Sequence, residues 1–185
     1  MVKEYARNPA PGALDDVRTL LNTRTIAHDT RVPVDHLTEI ASTPQRWSAE
    51  FSDAFPRPSA DELARLRALR DVMRRELGGH HPPGLRDWLN THPVDTYLHP
   101  ESGSIRHRSL DGSCAATVVA IVVDAVSDDQ WRRLRACQGC ERVFYDRSPN
   151  LSRVWCGMYA DGPAGRACGT IAKVTAHRAR VRHAP

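Results

Sequence analysis

Cys137-Gln138-Gly139-Cys140, then Cys156, then Cys168: four of the chain's five cysteines fall between residues 137 and 168, and their reading decides the fold. Two residues between the first pair of thiols let the backbone wrap one metal ion with both sulfurs on the same side. Residues 1–8 carry Lys3, Glu4 and Arg7 and no apolar core of a secretory signal, so the expected compartment is the cytoplasm. There, clustered thiols read as a metal site before they read as disulfides. Four thiolates match a tetrahedral Zn2+ with Zn–S near ~2.3 Å. A closed four-sulfur shell leaves no position for water, so the ion would be structural. Such a site supplies an apparent ~10–16 kcal/mol, which a segment of about 50 residues with a thin core needs. A thioredoxin-like redox pair is the weaker reading, because no βαβ pattern surrounds the C-x-x-C. The fifth thiol, Cys114, lies alone in an apolar stretch and reads as a small buried hydrophobe.

The charge divides at the same place. Residues 1–130 hold 15 basic against 19 acidic side chains, a balance of −4, and residues 131–185 hold 11 against 3, a balance of +8. A basic C-terminal piece on a slightly acidic body points to two modules, one of which meets a polyanion; a solvated basic tail is the competing reading. The 185 residues, 41% apolar and 26% charged, are ordinary for one medium or two small globular domains. No apolar run reaches the ~20 residues that cross a bilayer.

Working toward the N-terminus, residues 113–126 are nearly all apolar; their Val and Ile content favours a strand, their length a buried helix, and the helix is the expectation. Ser127-Asp128-Asp129 is expected to cap a further turn carrying Trp131, Leu134 and a basic face of Arg132, Arg133 and Arg135. Val94, Thr96 and Leu98 alternate with Asp95, Tyr97 and His99, and after the turn at 100–103 the chain returns through 104–108, giving one hairpin. Ser59-Ala60-Asp61-Glu62 is a capping box opening a helix with Leu63, Leu66, Leu69 and Met73 inward, stopped at Gly78-Gly79; a short helix with Leu85, Trp88 and Leu89 follows. Thr43-Pro44 reads as a cap with proline at the first helical position, and Trp47, Phe51 and Phe55 repeat every four residues as a core stripe. Val34, Leu37 and Ile40 suggest a short helix after Pro33. Leu14, Val17, Leu20 and Leu21 share one helical stripe, with Asp15 and Asp16 at its positive end. The fold class is therefore α+β, mostly α: a helical N-terminal domain (1–127) with one β-hairpin, and a small four-Cys finger (128–185) ending in a basic helix.

Three further stretches complete a pattern around the cysteines: Val143-Phe144-Tyr145-Asp146-Arg147-Ser148 with Asn150, Ser152-Arg153 with Trp155-Cys156-Gly157-Met158, and Cys168-Gly169 with Ala172-Lys173. Together they resemble the CGNR zinc finger. In bacterial proteins regarded as stress-linked transcription regulators, that finger follows an ABATE domain. Leu20-Leu21-Asn22-Thr23-Arg24 is similar to the L-x-N-T-R opening of that domain. The resemblance implies Cys137, Cys140, Cys156 and Cys168 as the ligands. Two departures stand out. Eleven residues separate Cys156 from Cys168 where the family has about four, a loop insertion whose closure entropy grows slowly with length. The name-giving Asn and Arg are replaced by Thr170 and Ile171.

A four-thiolate zinc centre carries a net charge of −2, which Arg135, Arg142, Arg147 and Arg153 can balance. Beyond Cys168, a helix would place Ile171, Val174, Arg178 and Val181 near one face, with Lys173, His177, Arg180 and Arg182 on others; a frayed tail is the alternative. The expected nucleic-acid contacts are Arg147, Arg153, Lys173, Arg178, Arg180 and Arg182. The leading expectation is a DNA-binding transcription regulator acting on double-stranded DNA, its N-terminal domain sensing a small-molecule effector or forming a homodimer. The alternative is a zinc-stabilised protein-interaction or small-ligand module without DNA recognition. No enzyme motif is present: the acidic pairs Asp15-Asp16, Asp61-Glu62 and Asp128-Asp129 stand where helix starts favour negative charge, so no enzymatic activity is expected.

Overall fold

A computed structural model describes residues 9–26, 30–158 and 167–182. Seven helices and three two-stranded antiparallel sheets make up the described residues. The N-terminal tail through residue 8 and the insertion at 159–166 lie outside them.

Helix α6 (Cys114–Ser127) is the centre of the fold. Ser113 caps it, its Oγ accepting from the Ala116 N–H at 3.1 Å. Length prevails over β propensity here because neighbouring elements cover the helix on several sides. Val118, Val119 and Val122 are fully buried, each contributing roughly 1.5–3 kcal/mol by burial. Packed on it are α1 (Leu14–Leu21), α4 (Leu63–Arg75) and α5 (Leu85–Thr91). The expected stripe of α1 is buried, and so are Leu66, Leu69 and Met73 of α4. The box before α4 closes reciprocally: Ser59 N–H donates to Glu62 Oε2 at 2.8 Å and Glu62 N–H to Ser59 Oγ at 3.3 Å. Gly78, with φ +86°, takes the left-handed turn that ends this segment.

The hairpin of β3 (Val94–Leu98) and β4 (Ile105–Ser109) pairs Val94 with Ser109 and Leu98 with Ile105. It is fastened to α6 by His107 and Asp124 at 2.8 Å and by Arg106 and Asp128 at 2.6 Å. The structure adds two hairpins to the single one expected. One joins β1 (Arg24–Ile26) to β2 (Pro33–Asp35), the other β5 (Leu134–Ala136) to β6 (Val143–Tyr145). Strands of three residues carry too few positions for alternation to show. Val34 consequently lies in β2 with an exposed side chain, and the helix after Pro33 shortens to α2 (Leu37–Ile40).

Thr43 caps α3 (Pro44–Glu50) as expected. The aromatic repeat outlasts that helix: Phe51 is already extended, yet Trp47, Phe51 and Phe55 stack with centroids 4.1–5.9 Å apart, and Trp47 Nε1 donates to the Phe55 carbonyl. Asp16 does more than favour a helix start, since its carboxylate accepts from the Ser52 N–H and hydroxyl. Arg70, on the inner face of α4, is fully buried. Its guanidinium reaches both oxygens of Asp35, the Thr23 hydroxyl and Asp71. Ser127 does not cap the turn after α6; its hydroxyl bonds back to the Val123 carbonyl, and the turn is made by Gln130 N–H on the Ala125 carbonyl with Asp129 left-handed. A 3₁₀ turn at Trp131–Arg133 then leads into β5.

One core spans these elements. It includes Trp131, Leu134, Val143 and Tyr145 together with α1, α4 and α6, so the hairpin that begins the finger is packed into the body ahead of it.

Candidate metal centre

In the β5–β6 hairpin, Leu134 pairs with Tyr145, Arg135 with Phe144 and Ala136 with Val143. Alternation sends Leu134, Val143 and Tyr145 to the main core and Phe144 to the opposite side. There Phe144 packs with Cys137 and Cys168, flanked by Cys140, Trp155 and Cys156. The knuckle between the strands is closed by Cys137 N–H on the Arg142 carbonyl and Glu141 N–H on the Cys137 carbonyl, both 2.8 Å, with Glu141 left-handed at φ 59°.

The next ligand is brought round by a loop organised on Asp146. This carboxylate is fully buried and accepts from the Ser148 N–H at 2.9 Å and the Arg153 N–H at 3.1 Å. Burial opposes its charge, but these N–H groups and the nearby Arg135 hold its pKa below the usual carboxylate value. Gln138 N–H then bonds the Val154 carbonyl, laying the loop beside the knuckle. Arg153 lies over the Phe144 ring and donates to the carbonyls of Trp155 and Cys156.

Cys168 opens helix α7 (Cys168–Arg182). The close fit there needs two glycines. A Cβ on Gly139 would stand 3.1 Å from Cys168 Sγ, and one on Gly169 would run into Met158 Sδ. Gly169 N–H bonds the Gly157 carbonyl at 2.8 Å, and the Thr170 hydroxyl bonds the Met158 carbonyl. Thr170, at the family's asparagine position, is thus part of the brace. Ile171 is largely exposed.

The four Sγ atoms lie within 4.8 Å of one another, with Cys140 and Cys156 at 3.6 Å. A tetrahedron built on Zn–S near ~2.3 Å has edges of about 3.8 Å, so the donor set fits Zn2+. Its electrostatics point the same way. Hydrogen bonds from Cys140 and Cys156 pull the Cys137 pKa down, while hydrogen bonding to Cys137 and Cys140 pushes Cys156 up. Burial first, then its sulfur neighbours, push Cys168 up to about 12. Sulfurs this close become thiolates together only around a cation, and the positive end of α7 favours the charge on Cys168. Cys114 is remote from the cluster, buried on α6, with its thiol pushed up to about 12 by burial and by Glu62. Among the described residues no other group of His, Cys, Asp and Glu side chains is arranged to share an ion.

Residues 133–181 match the family model of the CGNR zinc finger. The four-thiolate cluster is that finger's structural zinc site. The matched segment does not reach the N-terminal stretch that resembles the ABATE domain. No curated protein matches the chain.

The cations outside the metal shell divide into two groups. Arg132 pairs with Asp129, Arg133 donates to the carbonyls of Asp146 and Ser148, and Arg135 donates to the Leu151 carbonyl. The basic face expected there is engaged in holding the CGNR finger. Arg147 is exposed but donates to the Pro9 carbonyl and lies 5.6 Å from the Tyr145 ring centroid; Arg153 points inward, as described. Lys173, Arg178, Arg180 and Arg182 all stand exposed on α7 and make no ion pair among the described residues. The loop insertion falls mostly on residues outside that set. Sequence reasoning missed Asp146 as the organiser of the loop; its signal was an acidic residue two positions before a serine, the pattern of an Asx turn.

Proposed function

We propose that this protein is a DNA-binding transcription regulator in which the zinc centre anchors α7 and α7 meets double-stranded DNA. One observation carries the reading: the helix starts on the fourth sulfur, and from Lys173 onward every described residue is exposed. A helix with so little buried surface has no packing role of its own. At ~100° per residue, Lys173, His177 and Arg180 form one ridge. Arg178 and Arg182 form another, about 140–180° around the helix from Lys173. A helix lying in the major groove meets a phosphate backbone on each side, and two opposed cationic ridges suit that geometry. Arg147, exposed beside the finger, is an accessory contact in this proposal. The N-terminal domain, with its ABATE-like Leu20–Arg24 stretch, would sense an effector or dimerise, and no catalysis is assigned to the chain.

A second reading, a protein-interaction module, is favoured by the exposed Ile171, Val174 and Val181 on α7 and by the replacement of the family's Asn and Arg.

Fluorescence polarisation of the zinc-loaded full chain with a random duplex tests the choice. Binding should weaken steeply between about 50 and 200 mM salt and disappear when zinc is chelated. No binding at the lower salt would remove the DNA reading and leave the interaction module.

A further inference from the structure

The L-x-N-T-R-like stretch is not used by the zinc ligands or by α7, yet it lies against the knuckle. Asn22 ends α1 and works as an edge for β6: its Nδ2 donates to the Val143 carbonyl and its Oδ1 accepts from the Val143 N–H, both at 2.8 Å. One residue earlier, the Leu21 carbonyl accepts from Arg74 Nη1, and the same guanidinium donates through Nη2 to the Glu141 carbonyl at 2.7 Å. Arg24 approaches the Glu141 carboxylate at 3.9 Å. Arg31 donates to the Gly139 carbonyl at 2.8 Å. The backbone on both sides of Cys140 is therefore gripped from the N-terminal domain at residues 139, 141 and 143.

We infer that Asn22, Arg31 and Arg74 are positioning residues for the zinc centre, through which the N-terminal domain sets how tightly the knuckle holds its ion. Glu141 is left-handed, a conformation that costs free energy for a residue with a side chain. Contacts on its carbonyl and carboxylate, and on both backbone groups of Val143, hold it there. Groups that orient a ligand's backbone change metal affinity without touching the metal; such outer partners typically alter it 10- to 100-fold. Linkage makes the effect reciprocal: an ion that tightens the knuckle also tightens the α1 terminus. The inference does not depend on what α7 touches.

The test is zinc transfer from the full chain to a colorimetric chelator. Asn22→Ala and Arg31→Ala are compared with Ser52→Ala, which removes a hydroxyl bond to Asp16 and makes none of the knuckle contacts. Expected are release rates about tenfold faster in Asn22→Ala, a smaller increase in Arg31→Ala, and no change in Ser52→Ala, with helical circular dichroism intact in all three. Should Asn22→Ala fail to fold, Arg31→Ala at an exposed site and the conservative Arg74→Lys at a half-buried one decide. Amide exchange supplies the reciprocal readout: chelation should deprotect the amides at Asn22 and Val143 while those of α5 keep their protection. Wild-type release rates in folded Arg31→Ala and Arg74→Lys proteins, or equal acceleration in Ser52→Ala, would overturn the inference.

Discussion

Neutralising α7 is the perturbation that most directly tests what the helix does. The structure offers four full cations on it, Lys173, Arg178, Arg180 and Arg182, all exposed. Each phosphate neutralised contributes about 0.9 to the slope of log K against log salt. If all four engage, the slope reaches about −3.6, and a fourfold rise in salt weakens binding about 150-fold. The triple change Arg178→Gln, Arg180→Gln, Arg182→Gln leaves Lys173 alone on α7, so the helix contributes a slope of about −0.9 and a loss of about 3.5-fold over the same range. Glutamine has nearly the helix propensity of arginine, so the helix should persist; circular dichroism and zinc analysis check this. Two double variants add geometry. Lys173→Gln with Arg180→Gln removes one ridge, and Arg178→Gln with Arg182→Gln the other. A helix in the groove loses a slope of about 1.8 in each pair; a helix lying along one backbone loses it in one pair only. An unchanged slope in the triple variant, with zinc retained, refutes the assignment of α7 as the contact surface.

Gly139→Ala should lower zinc retention in chelator competition, because the added Cβ stands 3.1 Å from Cys168 Sγ and 3.2 Å from its Cβ; Gly103→Ala, in an open turn, should leave it unchanged. Asp146→Ala should cost about 2 kcal/mol in urea unfolding, since it strips the bonds from two backbone N–H groups in a buried site. Arg70→Ala should cost about 3 kcal/mol by leaving Asp35 and Thr23 without their buried partner. Burial opposes the Asp35 charge, but the Arg70 guanidinium, the Leu37 N–H and Arg67 hold this carboxyl well below its usual pKa. The stabilisation from Asp35 is therefore present above the unfolded-state pKa near ~3.9 and is lost as pH falls below it. The stability gap between wild type and Asp35→Asn should accordingly be largest near neutral pH and close in acid.

What the sequence made legible was what local chemistry decides. Thr43 and Ser59 announce helix starts because an N-cap needs only its own neighbours. The run from Cys114 to Ser127 is too long for a buried strand. The cysteines declare their site because thiolates have few other uses in that spacing. The illegible parts depend on partners far along the chain. Asn22 finds Val143 across 121 residues. The burial of Arg70 follows from Asp35 of β2 and Thr23 of the turn after α1 meeting it. Strands β1, β2, β5 and β6 have three residues each, too few for their alternation to be read from the sequence. In the acidic pairs, Asp16 stands at a helix start as expected, while the Ser52 segment it holds could be found only in three dimensions.

The division of the β5–β6 hairpin explains why the finger needs its ion although the hairpin is well packed. Its inner face belongs to the main core, where Leu134, Val143 and Tyr145 are held by the same burial that holds α1 and α6. Its outer face offers Phe144 alone. From Asp146 to Arg182, Cys168 is the one buried apolar side chain among the described residues. Hydrophobic burial cannot fix this segment: among the described residues α7 is tied to the finger through Cys168 and through bonds from Gly169 and Thr170 to the carbonyls of Gly157 and Met158. Two hydrogen bonds, each worth about 1 kcal/mol net, do not hold fifteen helical residues in place. A zinc–thiolate centre worth ~10–16 kcal/mol does. Metal removal should therefore free α7 and the 146–158 loop and loosen the edge bonds between Val143 and Asn22, while Leu134, Val143 and Tyr145 keep the hairpin seated in the core, so that the hairpin outlives the finger it begins.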